Sequence, residues 1–443
     1  MIEDKIQWIK ERPYLCINPY VNYDLRVQQE KLKITVCCNL DTSMTNKAVD
    51  VEFIDNLKID IENKKVPAAC HLCTSLEKHG ALSERVKNLL DFPGSLEQFE
   101  QDKKVPEFQV GMKLSNRCNL ACRSCNSFNS SYWSDKMKVP SEPGVTEDFS
   151  DDPVNWKIIT DTIRQKHSET GHFIFQPIGG ETMMQNGFSN LLDWMIADGL
   201  AATTSIRITT NLAVNLEDFR DRFLQFNQVE FIASIDSIGD NYHYVRWPSK
   251  FNKVLNNLAE IIDVRTTHPG KYHLMITPVF SLNNIFYVID WIDFWQKWCN
   301  DNNVAIHLQT THINKPAPIM VEALPDQYRP PLIELLKQAV SHPLFQQYPS
   351  TVIQLEYFKS MLLSLQLPGT HTDKLFGDYL KYSADYDRRT STDSFKLNSR
   401  LYDLLSQEHR AIYMKHHSLV NVDRPVYNIE YNLEKLHKHH VQS

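Results

Sequence analysis

Six short apolar segments alternate with helical segments in the central part of the chain, and this alternation limits the possible folds more than any other feature. The six segments comprise residues 108–115, 172–178, 204–210, 229–235, 272–280 and 304–310. The stretches between them carry apolar residues three and four positions apart, which is typical of amphipathic helices. Strands that alternate with helices predict right-handed βα units and a parallel sheet. Because a closed TIM barrel needs eight such units, this α/β pattern predicts an open, partial (βα)6 barrel.

The chain divides into three regions around this central segment. With 443 residues, it is longer than one compact core usually holds. Residues 1–95 contain five cysteines and few strong helical patterns, and a polar linker follows them. We therefore expect a cysteine-rich domain over 1–95, the partial barrel over 106–315 and a helical C-terminal extension over 316–443.

Charge and hydropathy exclude several classes of protein. The net charge of −7 gives no general attraction to phosphate backbones, which argues against a nucleic-acid partner. The first residues are too polar for a signal peptide, and no apolar run approaches the roughly 18 residues of a membrane span. The sequence therefore predicts a soluble cytoplasmic protein that does not bind membranes.

The positions of the cysteines point to metal binding. Eight of the nine cysteines lie within the first 125 residues. In a cytoplasmic protein, clustered cysteines indicate a metal or catalytic site rather than a disulfide framework. The ninth, Cys299, lies on an apolar helical segment with Trp291 and Trp295, and is predicted to be a buried core thiol.

Cys118, Cys122 and Cys125 directly follow the first predicted strand of the barrel. Three thiolates at this spacing fit in one tight loop, where each can bind one iron of a [4Fe–4S] cluster. Electron-transfer clusters usually have four cysteine ligands, so three would leave one iron open to a substrate or cofactor. The alternative is a zinc site whose fourth ligand is distant in sequence.

A Gly-Gly-Glu sequence, residues 179–181, ends the second predicted strand and contains the only Gly-Gly pair in the chain. Two glycines allow the backbone to approach a ligand closely, and their carbonyl groups can accept hydrogen bonds from an ammonium group. The alternative is a simple glycine turn that joins a strand to a helix.

Together these motifs resemble the radical S-adenosylmethionine (SAM) superfamily, whose fold is a partial β/α barrel. Two further motifs fit the family: Thr210-Asn211 ends the third predicted strand, and Ser234 ends the fourth and is followed by Arg246. The resemblance implies that the three cysteines bind a [4Fe–4S] cluster and that the remaining motif residues bind SAM, with Ser234 and Arg246 at its ribose and carboxylate. The implied SAM-binding residues are Gly179, Gly180, Glu181, Asn211, Ser234 and Arg246.

The chain departs from the family pattern beside the third cysteine. Many members have an aromatic residue directly before this cysteine, where its ring stacks on adenine, but here that residue is Ser124. Either another ring replaces it, with Phe128 the nearest candidate, or backbone and apolar contacts alone hold adenine.

The resemblance also implies a reaction. Members of the family cleave SAM reductively at the cluster to a 5′-deoxyadenosyl radical, which abstracts hydrogen from the substrate. They need an electron donor such as flavodoxin or ferredoxin. A peptide or protein side chain is the expected substrate. A small molecule or a nucleotide is one alternative, and a non-catalytic interaction protein that binds SAM and a cluster is another.

The early cysteines resemble the auxiliary-cluster modules called SPASM and twitch domains. The resemblance implies a second [4Fe–4S] cluster, with Cys38 as an alternative to Cys37 because adjacent side chains of a strand point to opposite faces. The expected ligands are Cys16, Cys37, Cys70 and Cys73. Zinc on the same four residues is the alternative.

Overall fold

The computed structural model describes most of the chain. The described residues are 2–28, 31–37, 40, 51–78, 82–90, 92, 94–105, 108–113, 115–139, 149–309, 313, 316–348, 351–369 and 371–418. Cys38, the alternative ligand to Cys37, lies outside these residues.

The described strands form a single sheet. Their bounds are β1 Asn22–Gln28, β2 Lys31–Thr35, β3 Phe108–Lys113, β4 Phe173–Ile178, β5 Thr204–Thr210, β6 Gln228–Ala233, β7 Tyr272–Ile276 and β8 His307–Leu308. Their order is β2-β1-β3-β4-β5-β6-β7-β8. Every neighbouring pair from β1 to β8 is parallel, whereas β2 lies antiparallel to β1 at the edge. The chain is thus an α/β protein with seven parallel strands, consistent with the predicted partial barrel.

All six strands predicted for the barrel are present, as β3 to β8. Strand β7 ends before the predicted residue 280, because Pro278 has no N–H group to continue the ladder. The sequence did not predict that β1 of the cysteine-rich region pairs with β3, from Asn22 opposite Gln109 to Arg26 opposite Lys113. The cysteine-rich region and the barrel therefore share one sheet. The domain boundaries stay predictions.

The two faces of the sheet differ in polarity. Residues on one face, such as Phe175, Ile206 and Phe231, are fully buried in the main hydrophobic core. On the other face, Arg207, Glu230 and His273 lie side by side in register. Side chains alternate between the faces of a strand, so each strand contributes to both the apolar core and a polar surface.

The helices follow the predicted alternation. Those of the cysteine-rich region are α1 Ile2–Lys10, α2 Asn18–Val21, α3 Val51–Glu62, α4 His71–Lys78, α5 Glu84–Leu90 and α6 Leu96–Asp102. Those of the central region are α7 Ser131–Met137, α8 Pro153–Thr170, α9 Asn186–Ala197, α10 Arg220–Phe223, α11 Gly239–Val245, α12 Phe251–Thr267 and α13 Val288–Asn302. The C-terminal helices are α14 Arg329–Val340, α15 Leu344–Gln347, α16 Val352–Gln366, α17 Thr372–Thr390, α18 Ser394–Leu397, α19 Ser399–Tyr402 and α20 Gln407–His417.

Local signals set the ends of the longer helices. The Asp152 side chain caps α8 by accepting a hydrogen bond from the N–H group of Val154 at 2.7 Å, and Gly171 ends the helix in the left-handed region. No helix among the residues described is long and apolar enough to cross a membrane.

The C-terminal helices share the core of the barrel. Phe358, Tyr379 and Leu401 are fully buried in the same hydrophobic cluster as the strand residues of the barrel. The cysteine-rich region has separate small clusters, one of them around Ile9, Val86 and Phe99. The C-terminal region is therefore packed onto the barrel rather than attached to it by a linker alone.

Candidate cysteine sites

Cys118, Cys122 and Cys125 lie in one loop that follows β3, at the carboxyl end of the parallel strands. Cys122 is buried, with 9% of its surface exposed, while Cys118 and Cys125 are half-buried. Burial raises the pKa of all three thiols, that of Cys125 to about 12, and repulsion from neighbouring sulfurs adds to the effect at Cys122 and Cys125. This interaction requires the sulfurs to lie near one another, so the structure brings the three predicted ligands together.

Hydrogen-bond donors point at these sulfurs. The peptide N–H groups of Asn119 and Leu120 interact with the Cys118 sulfur and oppose the rise in its pKa. The peptide N–H group of Asn126 does the same at Cys125. Hydrogen bonds to cysteine sulfur stabilise the thiolate and tune iron–sulfur clusters.

Three thiolates in one loop are a donor set that suits an iron–sulfur cluster. Within the described ranges, no group of three or more His, Cys, Asp or Glu side chains is arranged to hold one metal ion. Four ligands around one Zn²⁺ would stand about 4 Å apart, at Zn–S distances of about 2.3 Å. In a [4Fe–4S] cluster each thiolate binds a different iron, so the sulfurs stand farther apart.

Gly179 and Gly180 pack against the backbone that leads into the cysteine loop. A Cβ atom on Gly179, which has a φ of +115°, would lie 2.2 Å from the carbonyl oxygen of Ser115. A Cβ atom on Gly180 would lie 2.1 Å from the carbonyl oxygen of Arg117. The close approach that requires glycine here is therefore to protein backbone. A role for these residues in binding the SAM ammonium stays a prediction.

Glu181 connects the ends of two strands. Its fully buried carboxylate accepts hydrogen bonds from the Thr210 hydroxyl at 2.8 Å and from the Asn211 N–H group at 2.7 Å. Burial raises its pKa to about 7, although these hydrogen bonds act in the opposite direction. Asn211 in turn donates from Nδ2 to Asn119 Oδ1 at 2.8 Å, inside the cysteine loop. Glu181 and Asn211 thus lie beside the loop, as predicted motif residues should.

Arg246 also lies at the loop. Its Nη1 atom is 3.8 Å from Cys122 Sγ, and its Nε atom is 2.8 Å from Asp236 Oδ2 in a buried ion pair. The pair is not aligned as a hydrogen bond, so Arg246 Nε and Asp236 Oδ2 are among the described buried atoms without a hydrogen-bond partner. The Arg246 guanidinium is therefore held by Asp236 beside Cys122, where its positive charge suits an anionic ligand.

Ser234 and Phe128, the two remaining candidates for SAM binding, make few contacts that point to a ligand. Ser234 is half-buried after β6, where its N–H group donates to the Thr210 carbonyl at 2.9 Å. One face of the Phe128 ring is covered by Lys113, whose Nζ atom is 3.5 Å from the ring centroid. Adenine could therefore stack only on the other face of Phe128.

Residues outside the predicted motifs hold the cysteine loop in place. The Trp133 indole donates to the Cys122 carbonyl at 2.8 Å, and the Tyr382 hydroxyl donates to the Arg123 carbonyl at 2.7 Å. Arg123 itself forms a fully buried ion pair with Asp387 of α17. These partners are up to 264 residues away, and no local pattern marks them.

The four predicted ligands of the second site line one pocket in the cysteine-rich region. Cys16, Cys37, Cys70 and Cys73 all contribute to its wall, together with Arg85. Burial raises the pKa of Cys16 to about 12 and that of Cys70 to about 11, with a further contribution from the neighbouring sulfurs. The structure thus brings together the predicted ligand set.

A buried network supports this pocket. The Arg85 guanidinium pairs with Glu77 at 2.5 Å and donates to the Leu15 carbonyl at 2.9 Å, beside Cys16. The Arg85 N–H group interacts with the Cys73 sulfur, which partly offsets the effect of burial on its pKa, and the Ser83 hydroxyl donates to Glu77. Arg85 therefore connects the two segments that carry Cys16 and Cys73.

Cys299 is fully buried in the main hydrophobic core with Trp291 and Trp295. The prediction of a core thiol is confirmed.

A scan against models of known protein families finds no match, and no curated protein matches the chain. Solved structures are similar at low sequence identity. The structure of anSMEcpe with bound AdoMet has 16% identity and a TM-score of 0.37, over 54% of this chain and 62% of that one. Streptococcus suis SuiB bound to S-adenosylmethionine has 14% identity and a TM-score of 0.31, over 68% of this chain and 64% of that one. In these two alignments the chain covers less than two thirds of the other protein, and similarity at this level does not establish a shared function.

Proposed function

We propose that this protein is a radical SAM enzyme that binds a [4Fe–4S] cluster through Cys118, Cys122 and Cys125. The observation that carries the proposal is the convergence of the sequence motifs at the carboxyl end of the parallel sheet. Glu181, Asn211 and Arg246 follow different elements, yet each lies at or next to the cysteine loop. Parallel β/α folds bind ligands at this end of their strands.

When bound, the cluster supplies an open iron and the electron that cleaves SAM to a hydrogen-abstracting 5′-deoxyadenosyl radical. The residues of the chain would bind SAM and orient it. Arg246, whose guanidinium lies beside Cys122, would donate to the SAM carboxylate. The carbonyl groups of Gly179 and Gly180 would accept from the SAM ammonium, and the Ser234 hydroxyl would bind the ribose.

The substrate class rests on the family resemblance alone. Relatives with auxiliary modules mostly modify peptides or proteins, and one solved structure of anSMEcpe contains AdoMet and a Kp18Cys peptide. We therefore propose a peptide or protein side chain as the substrate and a flavodoxin or ferredoxin as the electron donor. If no peptide product forms, the alternatives are a small-molecule substrate and SAM binding without turnover.

We further propose that Cys16, Cys37, Cys70 and Cys73 hold a second [4Fe–4S] cluster. All four line one pocket, and four thiolates are the usual ligand set of such a cluster. Arg85 and Ser83 would hold the ligands in place through the contacts they make with the two cysteine-bearing segments.

The test is iron and sulfide analysis of the anaerobically reconstituted full-length protein. We expect about eight irons per chain in the wild type and about four in Cys122→Ala and in Cys73→Ala. Cys299→Ala, which removes a core thiol, is the matched control and should retain wild-type iron. SAM should alter the electron paramagnetic resonance spectrum of reduced Cys73→Ala but not that of Cys122→Ala. Wild-type iron in Cys122→Ala would overturn the assignment of the first cluster, and about four irons with one zinc in the wild type would overturn the second.

A further inference from the structure

We propose that helix α17 positions the cysteine loop, and that the Arg123–Asp387 ion pair is the contact through which it does so. Arg123, Asp387 and Tyr382 would then be positioning residues of the candidate site, although two of them lie in the predicted C-terminal extension. Only the consequence for cluster binding, given at the end, depends on the proposed function.

Arg123 lies between the second and third cysteines, and its side chain points into the protein. Both Arg123 and Asp387 have fully buried side chains. The guanidinium is enclosed by two aromatic rings, at 3.7 Å from the centroid of Tyr244 and 4.0 Å from that of Tyr386. A charge this deeply buried is stable only with its partner in place, because neither group can regain water when the contact is lost.

The guanidinium has further partners. It donates from Nε to the Tyr244 carbonyl at 2.9 Å, from Nη1 to the Ser383 hydroxyl at 3.3 Å and from Nη2 to the Thr392 hydroxyl at 3.0 Å. Two of these three acceptors belong to α17 or to the turn that follows it. The side chain of Arg123 is therefore fixed mainly by the C-terminal region.

Asp387 joins three segments. Besides Arg123, its carboxylate accepts from the Thr392 hydroxyl at 2.7 Å, the Ser394 N–H group at 2.7 Å and the Tyr413 hydroxyl at 2.6 Å. It thus connects the cysteine loop to the turn after α17 and to α20. With four donors and two oxygens, the carboxylate is fully satisfied.

Hydroxyl groups of α17 also hold the backbone of the loop. Tyr382 donates to the carbonyl of Arg123 and Tyr386 donates to that of Ala121. The N–H groups of the same two loop residues donate to the carbonyls of Val245 and Trp247, each at 2.9 Å. The peptides on both sides of Cys122 are therefore fixed from two directions. Such a loop is preorganised, which lowers the entropic cost of binding any ligand through its cysteines.

The test compares two carboxylates of α17 in the cluster-free, full-length protein. Asp387→Asn places an amide donor among N–H and O–H donors, whereas Asp385→Asn removes a carboxylate that pairs with Arg388 and Arg389 of its own helix. The measurement is the alkylation rate of individual cysteines by mass spectrometry, with Cys299 as the reporter of opening of the whole core.

We expect Asp387→Asn to speed alkylation of Cys122 by about tenfold or more, with Cys299 unchanged. Asp385→Asn should change neither rate. A wild-type rate at Cys122 in Asp387→Asn would overturn the proposal. If alkylation of Cys122 and Cys299 accelerates together, the rates are measured in Tyr382→Phe, which removes one hydroxyl only. An increase of about threefold confined to Cys122 then supports the proposal, and an unchanged rate refutes it.

The consequence for the cluster is measured in a Cys73→Ala background, where only the first site would carry iron. Asp387→Asn should lose iron to a chelator about tenfold faster than Asp385→Asn. Failure of the proposed function and failure of this inference are distinguishable. A Cys73→Ala protein that binds no iron refutes the first cluster but leaves the alkylation result standing. Equal iron loss in the two Asp variants refutes the role of α17 while the cluster stands.

Discussion

Replacing Gly180 with alanine should displace the cysteine loop. The added Cβ atom would lie 2.1 Å from the Arg117 oxygen, 2.6 Å from its carbonyl carbon and 2.7 Å from the carbonyl carbon of Asn116. Ordinary carbon–oxygen contacts are above 3 Å, so the backbone must separate by about 1 Å. All three atoms are backbone, so no side-chain rotation can relieve the overlap.

The energetic cost follows from this geometry. Overpacking usually costs about 1–3 kcal/mol, and a clash with backbone belongs at the upper end of that range. The same movement stretches the hydrogen bond from the Glu181 N–H group to the Arg117 carbonyl, now 2.8 Å, which adds about 1 kcal/mol. We therefore expect Gly180→Ala to lower the free energy of unfolding by about 3–4 kcal/mol and to reduce iron at the first site.

The assay is urea unfolding together with iron analysis, with Gly377→Ala as the matched control. A Cβ atom on Gly377, in helix α17, would meet nothing within 4 Å. This control should gain about 0.5–1 kcal/mol, because alanine favours a helix more than glycine does, and should retain its iron. A Gly180→Ala protein within about 1 kcal/mol of the wild type and with full iron would refute the argument that the glycine pair supports the loop.

Three further predictions concern charged groups. Burial raises the pKa of Glu181 to about 7, so the folded protein binds the proton on this carboxyl more tightly than the unfolded protein does. The free energy of unfolding should therefore be highest below the unfolded pKa of 4.5 and should fall as the pH rises through 7. In urea titrations of the cluster-free protein from pH 4 to 8, Glu181→Gln should reduce this pH-dependent fall in the free energy of unfolding by up to about 3 kcal/mol. If the free energies of the wild type and the variant change in parallel with pH, the assignment is contradicted. Arg85→Met leaves the Glu77 charge buried and unpaired, so it should lower the free energy of unfolding by about 3–5 kcal/mol and abolish iron binding at the second site. Arg164→Met, which removes an exposed ion pair, should lower this free energy by at most about 1 kcal/mol. Arg246→Lys should retain iron but weaken SAM binding by about tenfold in calorimetry, and wild-type affinity would exclude Arg246 from the SAM site.

The sequence predicts those parts of the fold and the site that depend on local patterns. Each of the six barrel strands carries apolar residues that the core buries, and this pattern is local in the sequence. Cys118, Cys122 and Cys125 are close in sequence, and a short loop after a strand necessarily brings them together. Gly179 and Gly180 form the only Gly-Gly pair in the sequence, but only the structure shows which backbone they approach.

The rest depends on contacts between distant parts of the chain. Strand β1 is largely polar, and its pairing with β3 follows from the packing of the cysteine-rich region, which no local pattern encodes. Asp387 is an ordinary acidic residue of a polar helix in the sequence, and only the fold places it against Arg123. Only a family resemblance pairs Cys16 with Cys73 in the sequence, and the part of Arg85 in connecting their segments depends on the fold.

The central claim is tested most directly by the products of SAM. The full-length protein, reconstituted anaerobically and fully loaded with iron, is incubated with dithionite and SAM, and 5′-deoxyadenosine is measured by chromatography beside Cys122→Ala and Cys299→Ala. We predict 5′-deoxyadenosine from the wild type and from Cys299→Ala, and none from Cys122→Ala. An iron-loaded wild type that forms no 5′-deoxyadenosine, and whose electron paramagnetic resonance spectrum SAM leaves unchanged, would contradict the proposal that this chain is a radical SAM enzyme.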